Sequence, residues 1–242
     1  KPSLRMVICI PSGITEVEKR AVRDSAEHAC AKEVYMIHEP MAAAIGMGID
    51  VEEPMGNMII DIGGGTTEIA VMALGGIVCD KSTRIAGDDF NSNIEEYMRR
   101  QHNILIGERS AEQVKIEVGA AMTEIENPPN DFAVQGRDLM SGIPKEVFVS
   151  YVEIAHCLDK SISKIEEAIL NALEMTPPEL AADIYRKGIY MAGGGSLLRG
   201  LDKRISLKTK LPVHVCEDPL RAVARGTGIA LKNIHKFPFL IK

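Results

Sequence analysis

A glycine-rich turn between two apolar runs holds the residues of this chain whose types could do chemistry. Asp61–Glu68 reads Asp-Ile-Gly-Gly-Gly-Thr-Thr-Glu, with apolar residues at 58–60 before it and at 69–72 after it. This order predicts a strand, a tight turn and a second strand. Glycines permit a positive φ and let backbone N–H groups approach an anion. Asp61, at the strand end, can hold Mg²⁺ through water, and two threonines add hydroxyls.

A second glycine cluster, Gly193–Ser196, follows another apolar run at residues 188–192. Two glycine loops at strand ends in one chain suggest a nucleotide held between them. Taken singly, each loop is also explained without a ligand, the first as a hairpin turn and the second as a strand-to-helix turn. The residues alone leave these alternatives open for both loops.

The composition is that of an ordinary globular protein. Its 242 residues are 45% hydrophobic and 26% charged, enough for one large domain or two modest ones. The formal net charge of −6 argues against a nucleic-acid partner, because such partners favour a basic surface. No apolar run approaches the ~20 residues that span a bilayer. Five scattered cysteines predict reduced thiols in a cytosolic protein, and six histidines lack metal-ligand spacing.

The first 48 residues read strand, helix, strand, helix, which is typical of an α/β layer architecture. The strands are predicted at residues 6–10 and 34–37. The capping box Thr15–Glu18 predicts the start of the first helix, and Glu39-Pro40 that of the second, which continues to Met47. We expect the first helix to bury a face formed by Val17, Ala21, Val22 and Ala29.

Helices with one apolar face follow a hairpin predicted at residues 57–73. Asp88 is expected to cap one helix, which has Phe90, Ile94, Tyr97 and Met98 on its inner face. Ser110 is expected to cap another, with Glu112 and Lys115 opposite its apolar face, where the two can act together.

The rest of the chain alternates between strands and helices. Residues 127–150 predict a small strand subdomain, and a long amphipathic helix is expected from Tyr151 to Met175, ended by Thr176-Pro177-Pro178. A helix at 197–207, a strand at 213–215 and a final helix from Asp218-Pro219 to about Lys232 complete the prediction.

Several segments resemble the MreB family of bacterial actin homologues, within the superfamily of actin and heat-shock-chaperone ATPases. The resemblance runs across nearly the whole chain, and its anchors are Glu39–Gly46, Asp61–Glu68, Ile106–Arg109, Thr176–Leu180 and Gly193–Asp202. The superfamily shares the glycine loops, whereas the Gly-Glu-Arg and Thr-Pro-Pro-Glu-Leu segments are more particular to MreB. The resemblance implies an α/β, actin-like ATPase fold, with ribonuclease H-like mixed sheets flanked by helices.

The resemblance also implies a division into domains. Residues 1–48 would be an incomplete first domain (IA), and residues 49–91 and 151–215 the core of a second (IIA). Residues 92–150 would form a small outer subdomain (IIB), and residues 216–242 a C-terminal helix and tail that return to the first domain. The apolar tail at 237–241 could contact a membrane, a neighbouring subunit or the part of the family's fold that precedes Lys1; we favour the last.

Roles around ATP and Mg²⁺ follow from the resemblance. Glu39 would orient or deprotonate the attacking water with help from Thr66, and Asp61 would hold hydrated Mg²⁺. The other expected nucleotide contacts are a phosphate loop (Gly63, Gly64, Gly65, Thr66, Thr67), a ribose and base contact (Glu112, Lys115) and an adenosine loop (Gly193, Gly194, Gly195, Ser196, Leu197). Without the resemblance, Glu39 is explained as a helix cap and Glu112 with Lys115 as a solvated ion pair.

One part of the family pattern has no counterpart before Lys1. The family begins with a strand-turn-strand that carries a first phosphate loop of the form Asp-x-Gly-Thr, followed by a small outer subdomain and a membrane-contacting segment. We therefore expect this chain alone to hydrolyse ATP poorly, and to be a fragment of a longer protein or a truncated gene product.

The function that the resemblance implies is that of an ATP-binding cytoskeletal protein in the cytoplasm. Subunits would stack head to tail into filaments at the inner face of the cytoplasmic membrane, where they organise cell-wall synthesis with elongation proteins and maintain rod shape. One alternative is a heat-shock-type chaperone ATPase domain, which needs a substrate-binding domain after an apolar linker. The other is a metabolite kinase of the same fold, which needs a catalytic base facing a hydroxyl.

Overall fold

The computed structural model describes residues 4–242, which contain ten strands in three sheets. The strands are β1 (Leu4–Ile10), β2 (Ala31–His38), β3 (Asn57–Ile62), β4 (Thr67–Ala73), β5 (Gly76–Thr83), β6 (Ile104–Leu105), β7 (Phe132–Asp138), β8 (Pro144–Val149), β9 (Ile189–Ala192) and β10 (Val213–Val215). The helices are α1 (Glu16–His28), α2 (Glu39–Gly46), α3 (Gly87–Gln101), α4 (Glu108–Val118), α5 (Tyr151–Glu174), α6 (Pro178–Lys187), α7 (Leu201–Thr209) and α8 (Ala222–Lys232), with short 3₁₀ turns at Gly194–Leu197 and Pro219–Arg221.

The largest sheet has the strand order β10-β9-β3-β4-β5 and mixes both pairings. β3, β4 and β5 are antiparallel neighbours, whereas β9 runs parallel to both β3 and β10. β1 and β2 form a separate parallel pair, and β6, β7 and β8 form a small antiparallel sheet. The predicted α/β class is confirmed, and β7 and β8 confirm the strands expected within residues 127–150.

Both faces of the largest sheet are covered, because every residue of β3 and β4 is buried. Alternate side chains enter two cores, as the two-residue period of a strand requires. Ile60 and Ile69 face a core built with α3, α4 and α5. Ile59 and Ala70 face a second core built with α2, α8 and the C-terminal tail. The largest sheet therefore separates the two cores.

Two helix starts differ from the prediction. α3 begins at Gly87 after the cap residue Ala86, so Asp88 lies within its first turn rather than at its cap. The carboxylate of Asp89 accepts a hydrogen bond from the Ala86 N–H at 3.1 Å. α4 begins at Glu108 after Gly107, so Ser110 lies within its first turn rather than at its cap. β5 and α6 were not predicted. Charged residues interrupt the apolar pattern of β5, and α6 begins at Pro178, the second of the two prolines that were expected to end the preceding helix.

The predicted buried face of α1 is wrong. Val17 is 79% exposed, Ala21 and Ala29 are exposed, and Ala26 is the buried residue of this helix. The half-buried positions include Lys19 and Arg23, whose long aliphatic stems can cover apolar surface while their charges reach water. The helix is thus rotated away from the face that its apolar residues indicate.

The C-terminal tail packs on this chain itself. Ile241 pairs with Met36 of β2 through two backbone hydrogen bonds, 2.8 and 3.0 Å long. Phe237 is 7% exposed and joins the second core, with the ring of Phe239 beside it. These contacts lie within the described part, and packing of the tail on residues before Lys1 stays a prediction.

The division into domains remains a prediction, and its first three residues lie outside the described range. No helix between residues 4 and 242 combines the length and the apolar character needed to cross a membrane.

α2 and α8 cross with their backbones in contact. A side-chain carbon added at Gly46 would overlap the carbonyl oxygen of Ala222, and one added at Gly226 would overlap that of Ala42. The crossing therefore depends on glycine at one position of each helix. It fixes the start of α2, at Glu39, relative to the turn at Pro219–Arg221 that leads into α8.

We expect Gly226→Ala to lower the free energy of unfolding by about 2 kcal/mol or more, because the added methyl group forces the two helices apart. Gly228→Ala on the same helix is the matched control: its added methyl meets open space. That control should raise stability by about 0.5–1 kcal/mol through helix propensity. Urea unfolding midpoints of the two variants measure the difference, and equal midpoints would contradict the crossing.

Candidate functional site

A cavity of about 510 Å³ opens where β3 and β9 end and where α2 and α3 begin. It brings together predicted site residues that are far apart in the sequence. Its lining consists of Glu39, Asp61, Gly63, Gly64, Gly65, Thr66, Gly87, Asp88, Glu112, Lys115, Gly193, Gly194, Gly195, Pro219, Leu220 and Val223. Both glycine loops, and both carboxylates predicted to act in catalysis, thus face one space.

A second cavity, of about 370 Å³, shares part of this lining and is mostly apolar. Glu112 and Lys115 border both cavities, whereas Leu197 borders only the second. Its other lining residues are Phe90, Ile116, Gly194, Gly195, Leu198 and Leu220. The pair of cavities therefore offers a polar compartment next to an apolar one.

Two predicted site residues point their hydroxyls away from the first cavity. Thr67 is buried, and its hydroxyl donates to the carbonyl of Ile85 at 2.7 Å. Ser196 is 3% exposed, and its hydroxyl donates to the carbonyl of Gly193 at 2.7 Å. Each hydroxyl is engaged in a hydrogen bond that stabilises its loop. Any contact of these two residues with a ligand would therefore be made by their backbone atoms.

The first glycine loop is anchored on its carbonyl side. The Gly63 N–H donates to the carbonyl of Thr66 at 2.9 Å, which closes the turn. The carbonyls of Gly63 and Gly64 accept from the N–H groups of Gly87 and Asp88, and so cap the start of α3. Gly64 and Gly65 are exposed at the tip of the loop, beside the cavity. Because these carbonyls are turned toward α3, the backbone N–H groups at the tip are the groups of this loop that an anion could contact.

The second glycine loop lies directly on the end of β3. Gly193 has a φ of +80°, and a side chain there would meet the backbone of Ile62. At Gly195 a side chain would overlap the side chain of Ile62. The Gly193 N–H donates to the carbonyl of Pro219 at 3.0 Å, which ties this loop to the turn before α8. Close packing therefore requires the glycines at 193 and 195, whatever the cavity binds.

Negative charge accumulates at the floor of the cavity. Asp61 on β3 and Glu68 on β4 occupy paired positions, so their side chains share one face of the sheet. They are 6% and 1% exposed. Burial, with the nearby charges of Glu39 and Glu68, raises the pKa of Asp61 to about 7. Burial and Glu68 also raise the pKa of Glu39. Within residues 4–242, none of the three carboxylates lies within 4.0 Å of a basic side chain.

Lys115 brings a positive charge to the cavity wall. Its amino group donates to the carbonyl of Gly87 at 3.1 Å, at the start of α3. Burial lowers the pKa of Lys115, while the charges of Glu112 and Asp88 act in the opposite direction. Lys115 thus lies next to the anchored side of the first glycine loop, where its charge can act on a bound anion.

The sequence did not assign several residues that line or support the cavity. The sequence marked Asp88 only as the cap of a helix and Pro219 only as the start of another, and it gave no signal for Gly87. Leu220 and Val223 gave no signal beyond their apolar character. Glu68 belongs to the segment Asp61–Glu68, but its partners could not be identified from that segment.

The sequence profile of the MreB/Mbl protein family matches residues 1–238. Over 234 residues, 97% of this chain, the sequence is 48% identical to the cell shape-determining protein MreB of Escherichia coli (67% of that protein). It is 44% identical to the cell shape-determining protein Mbl of Bacillus subtilis over the same share of this chain and 70% of that protein. The chain belongs to the MreB/Mbl family.

Solved structures of related proteins agree with the fold. The crystal structure of MreB5 of Spiroplasma citri bound to AMPPNP is 41% identical, with a TM-score of 0.91 over 95% of this chain and 68% of that one. A double-helical filament of MamK is 23% identical, with a TM-score of 0.79 over 98% of this chain and 70% of that one. At this identity the MamK likeness bears on the fold alone. The actin-like fold implied by the sequence resemblance is confirmed.

The raised pKa of Asp61 predicts a pH-dependent stability. Between its ordinary pKa of 3.8 and about 7, the folded protein holds a proton on Asp61 that the unfolded chain has lost. Stability therefore falls as the pH rises through this window, by up to about 1.4 kcal/mol per pH unit for a single such group. Asparagine stays neutral, so Asp61→Asn should stabilise the protein without ligand at pH 8 and have little effect near pH 4.

Thermal unfolding of Asp61→Asn and of wild type between pH 4 and pH 8 measures this difference. Asp88→Asn is the control, because that carboxylate lines the same cavity but is exposed to water. A gain in stability from Asp61→Asn that is the same at every pH would contradict a raised pKa of Asp61 in the folded protein.

Proposed function

We propose that this protein binds ATP with Mg²⁺ in the two adjoining cavities and that it acts as a cytoskeletal protein that assembles into filaments. The observation that carries the proposal is the meeting of both glycine loops, Glu39 and Asp61 in one cavity. The similarity to MreB5 of Spiroplasma citri, which was solved bound to AMPPNP, supports it.

The two cavities fit the two halves of a nucleotide. The phosphates would meet the amides at Gly64 and Gly65, with Lys115 supplying positive charge. The nucleoside would occupy the apolar cavity, bordered by Leu197, with Glu112 within reach of the ribose. Apolar walls with a few polar groups are the usual construction of such sites.

The carboxylates fit a bound cation. Buried negative charge without a basic partner is costly, and a divalent cation would relieve that cost. Asp61 would hold Mg²⁺ through water, and the ion would supply charge neutralisation at the phosphates. A single carboxylate at the cation suits Mg²⁺, which keeps several of its waters.

Glu39 would act on a water molecule in this proposal. It is the first residue of α2 and lines the first cavity. A raised pKa brings a carboxylate closer to the range in which a general base works well near neutral pH. The hydroxyl of Thr66, across the same cavity, would help to orient the water. Positioning and charge stabilisation are the main needs of phosphoryl transfer.

The cellular role is proposed from the family. MreB of Escherichia coli and Mbl of Bacillus subtilis are named cell shape-determining proteins. We propose that this protein likewise forms head-to-tail filaments at the cytoplasmic face of the membrane. Its partners there would be cell-wall elongation proteins. Head-to-tail contacts do not close on themselves and so produce filaments. Nucleotide-dependent closure about the α2–α8 crossing would couple the site to assembly.

Glu39→Gln tests the site. In the protein at its full natural length, we expect Mg-ATP binding within about threefold of wild type but hydrolysis slower by about a hundredfold, the usual loss when a positioned base is removed. Glu167→Gln, at an exposed position of α5, is the matched control. Titration with a fluorescent nucleotide and phosphate release measure the two quantities. Loss of binding in Glu39→Gln, or unchanged hydrolysis, would contradict the assigned role.

Assembly is tested by sedimentation of the same full-length protein. We expect Mg-ATP to move it into the pellet above a critical concentration, whereas it stays in the supernatant without nucleotide. A monomer at high concentration with Mg-ATP would overturn the filament proposal. Nucleotide-dependent release of an unfolded peptide would favour a chaperone ATPase instead, and phosphate transfer to a sugar rather than to water would favour a kinase.

A further inference from the structure

A polar row crosses one face of the largest sheet below the cavity. Asp61 on β3 pairs with Glu68 on β4, and Glu68 pairs with Ser82 on β5. Paired positions on neighbouring strands place their side chains on the same face. The Ser82 hydroxyl donates to one carboxylate oxygen of Glu68 at 2.6 Å. Glu68 therefore lies at the centre of a row that begins at the cavity floor.

The other carboxylate oxygen of Glu68 reaches a different sheet. It accepts a hydrogen bond from the backbone N–H of Ser12 at 3.2 Å. Ser12 lies two residues after β1, whose last residue, Ile10, pairs with His38 at the end of β2. The next residue is Glu39. The carboxylate of Glu68 thus connects the strand that follows the glycine loop to the pair of strands from which Glu39 emerges.

This arrangement is costly for the fold alone. Glu68 is 1% exposed, and burial of a carboxylate without a basic partner is unfavourable. Two hydrogen bonds offset part of the cost, but a well-packed apolar side chain at this position would avoid it. The charge of Glu68 also opposes the ionisation of Glu39 and Asp61. Its presence in the sheet calls for a role that an apolar residue could not fill.

We propose that Glu68 is a positioning residue for ATP hydrolysis: by holding Ser12 against β4, it sets the separation of Glu39 and Thr66 across the cavity. Thr66 immediately precedes β4, and Glu68 is the second residue of that strand. One end of the link therefore controls the glycine loop, and the other controls the start of α2. The inference rests on the proposed function, because it assigns Glu68 a part in that reaction.

Glu68→Gln in the full-length protein tests the link. The amide keeps the shape of the side chain but carries no negative charge, so its hydrogen bonds with Ser12 and Ser82 lose the strength of charge-assisted bonds. We expect kcat for ATP hydrolysis to fall by about tenfold or more, since a small misplacement of reacting groups has effects of this size, while KM and nucleotide affinity change by less than about threefold. Hydrogen exchange of the Ser12 amide should become faster.

Glu153→Gln is the matched control. Glu153 also accepts from a backbone N–H and a serine hydroxyl, both of Ser150, at 2.8 and 2.9 Å. It lies at the start of α5, outside the lining of either cavity. We expect this variant to hydrolyse ATP at the wild-type rate. If Glu68→Gln does not fold, Ser82→Ala keeps the carboxylate and removes one of its partners, and its kcat should fall about two- to threefold with KM unchanged.

The outcomes separate the two proposals. If the wild type hydrolyses ATP and Glu68→Gln has the same kcat, the role of Glu68 is overturned and the proposed function stands. If Glu68→Gln does not fold, an unchanged kcat in Ser82→Ala overturns it in the same way. Parallel losses of binding, hydrolysis and melting temperature in Glu68→Gln mean that the residue only supports the fold, which also overturns it. A full-length wild-type protein that neither binds nor hydrolyses nucleotide overturns both.

Discussion

The contact between the backbones of α2 and α8 is the constraint on which the rest of the structure depends. Because Gly46 and Gly226 carry no side chains, nothing separates the two helices where they cross. Glu39 lies seven residues before Gly46, about 10 Å along the helix, so a small rotation about the crossing moves Glu39 appreciably. The turn at Pro219–Arg221 enters the same cavity from the other helix. Relative motion of the two helices and the shape of the cavity are therefore linked.

The second constraint is electrostatic. Asp61, Glu68 and Glu39 bring negative charge to the cavity floor, and burial makes the proton of Asp61 hard to remove. A protein that buries charge in this way is less stable above neutral pH than the same fold with neutral side chains. A cation bound only by the folded state would recover stability by mass action. Ligand binding and folding stability are then coupled through the same three carboxylates.

Local patterns predicted much of the cavity because its residues lie at strand ends and helix starts, which glycine, proline and acidic residues mark. The rotation of α1 could not be predicted, because its half-buried side carries the long basic side chains of Lys19 and Arg23 and not the apolar Val17 and Ala21. The contacts of Glu68 could not be predicted from the sequence either. Its partners Ser12 and Ser82 are 56 and 14 residues away, and only the sheet register brings them together. Periodicity reports which residues are apolar and says little about which distant polar groups meet.

The two glycine loops differ in what their glycines are for. At Gly193 and Gly195 a side chain would strike Ile62, so the shape of this loop follows from the packing of β3. At Gly65 an added carbon meets open space, and the neighbouring Gly64 faces only the carboxylate of Asp88. Packing therefore explains Gly193 and Gly195, whereas it leaves the tip of the first loop without a structural reason for its small residues. A ligand that approaches the backbone closely would supply that reason, and this makes Gly64 and Gly65 stronger indications of an anion site than Gly193 and Gly195.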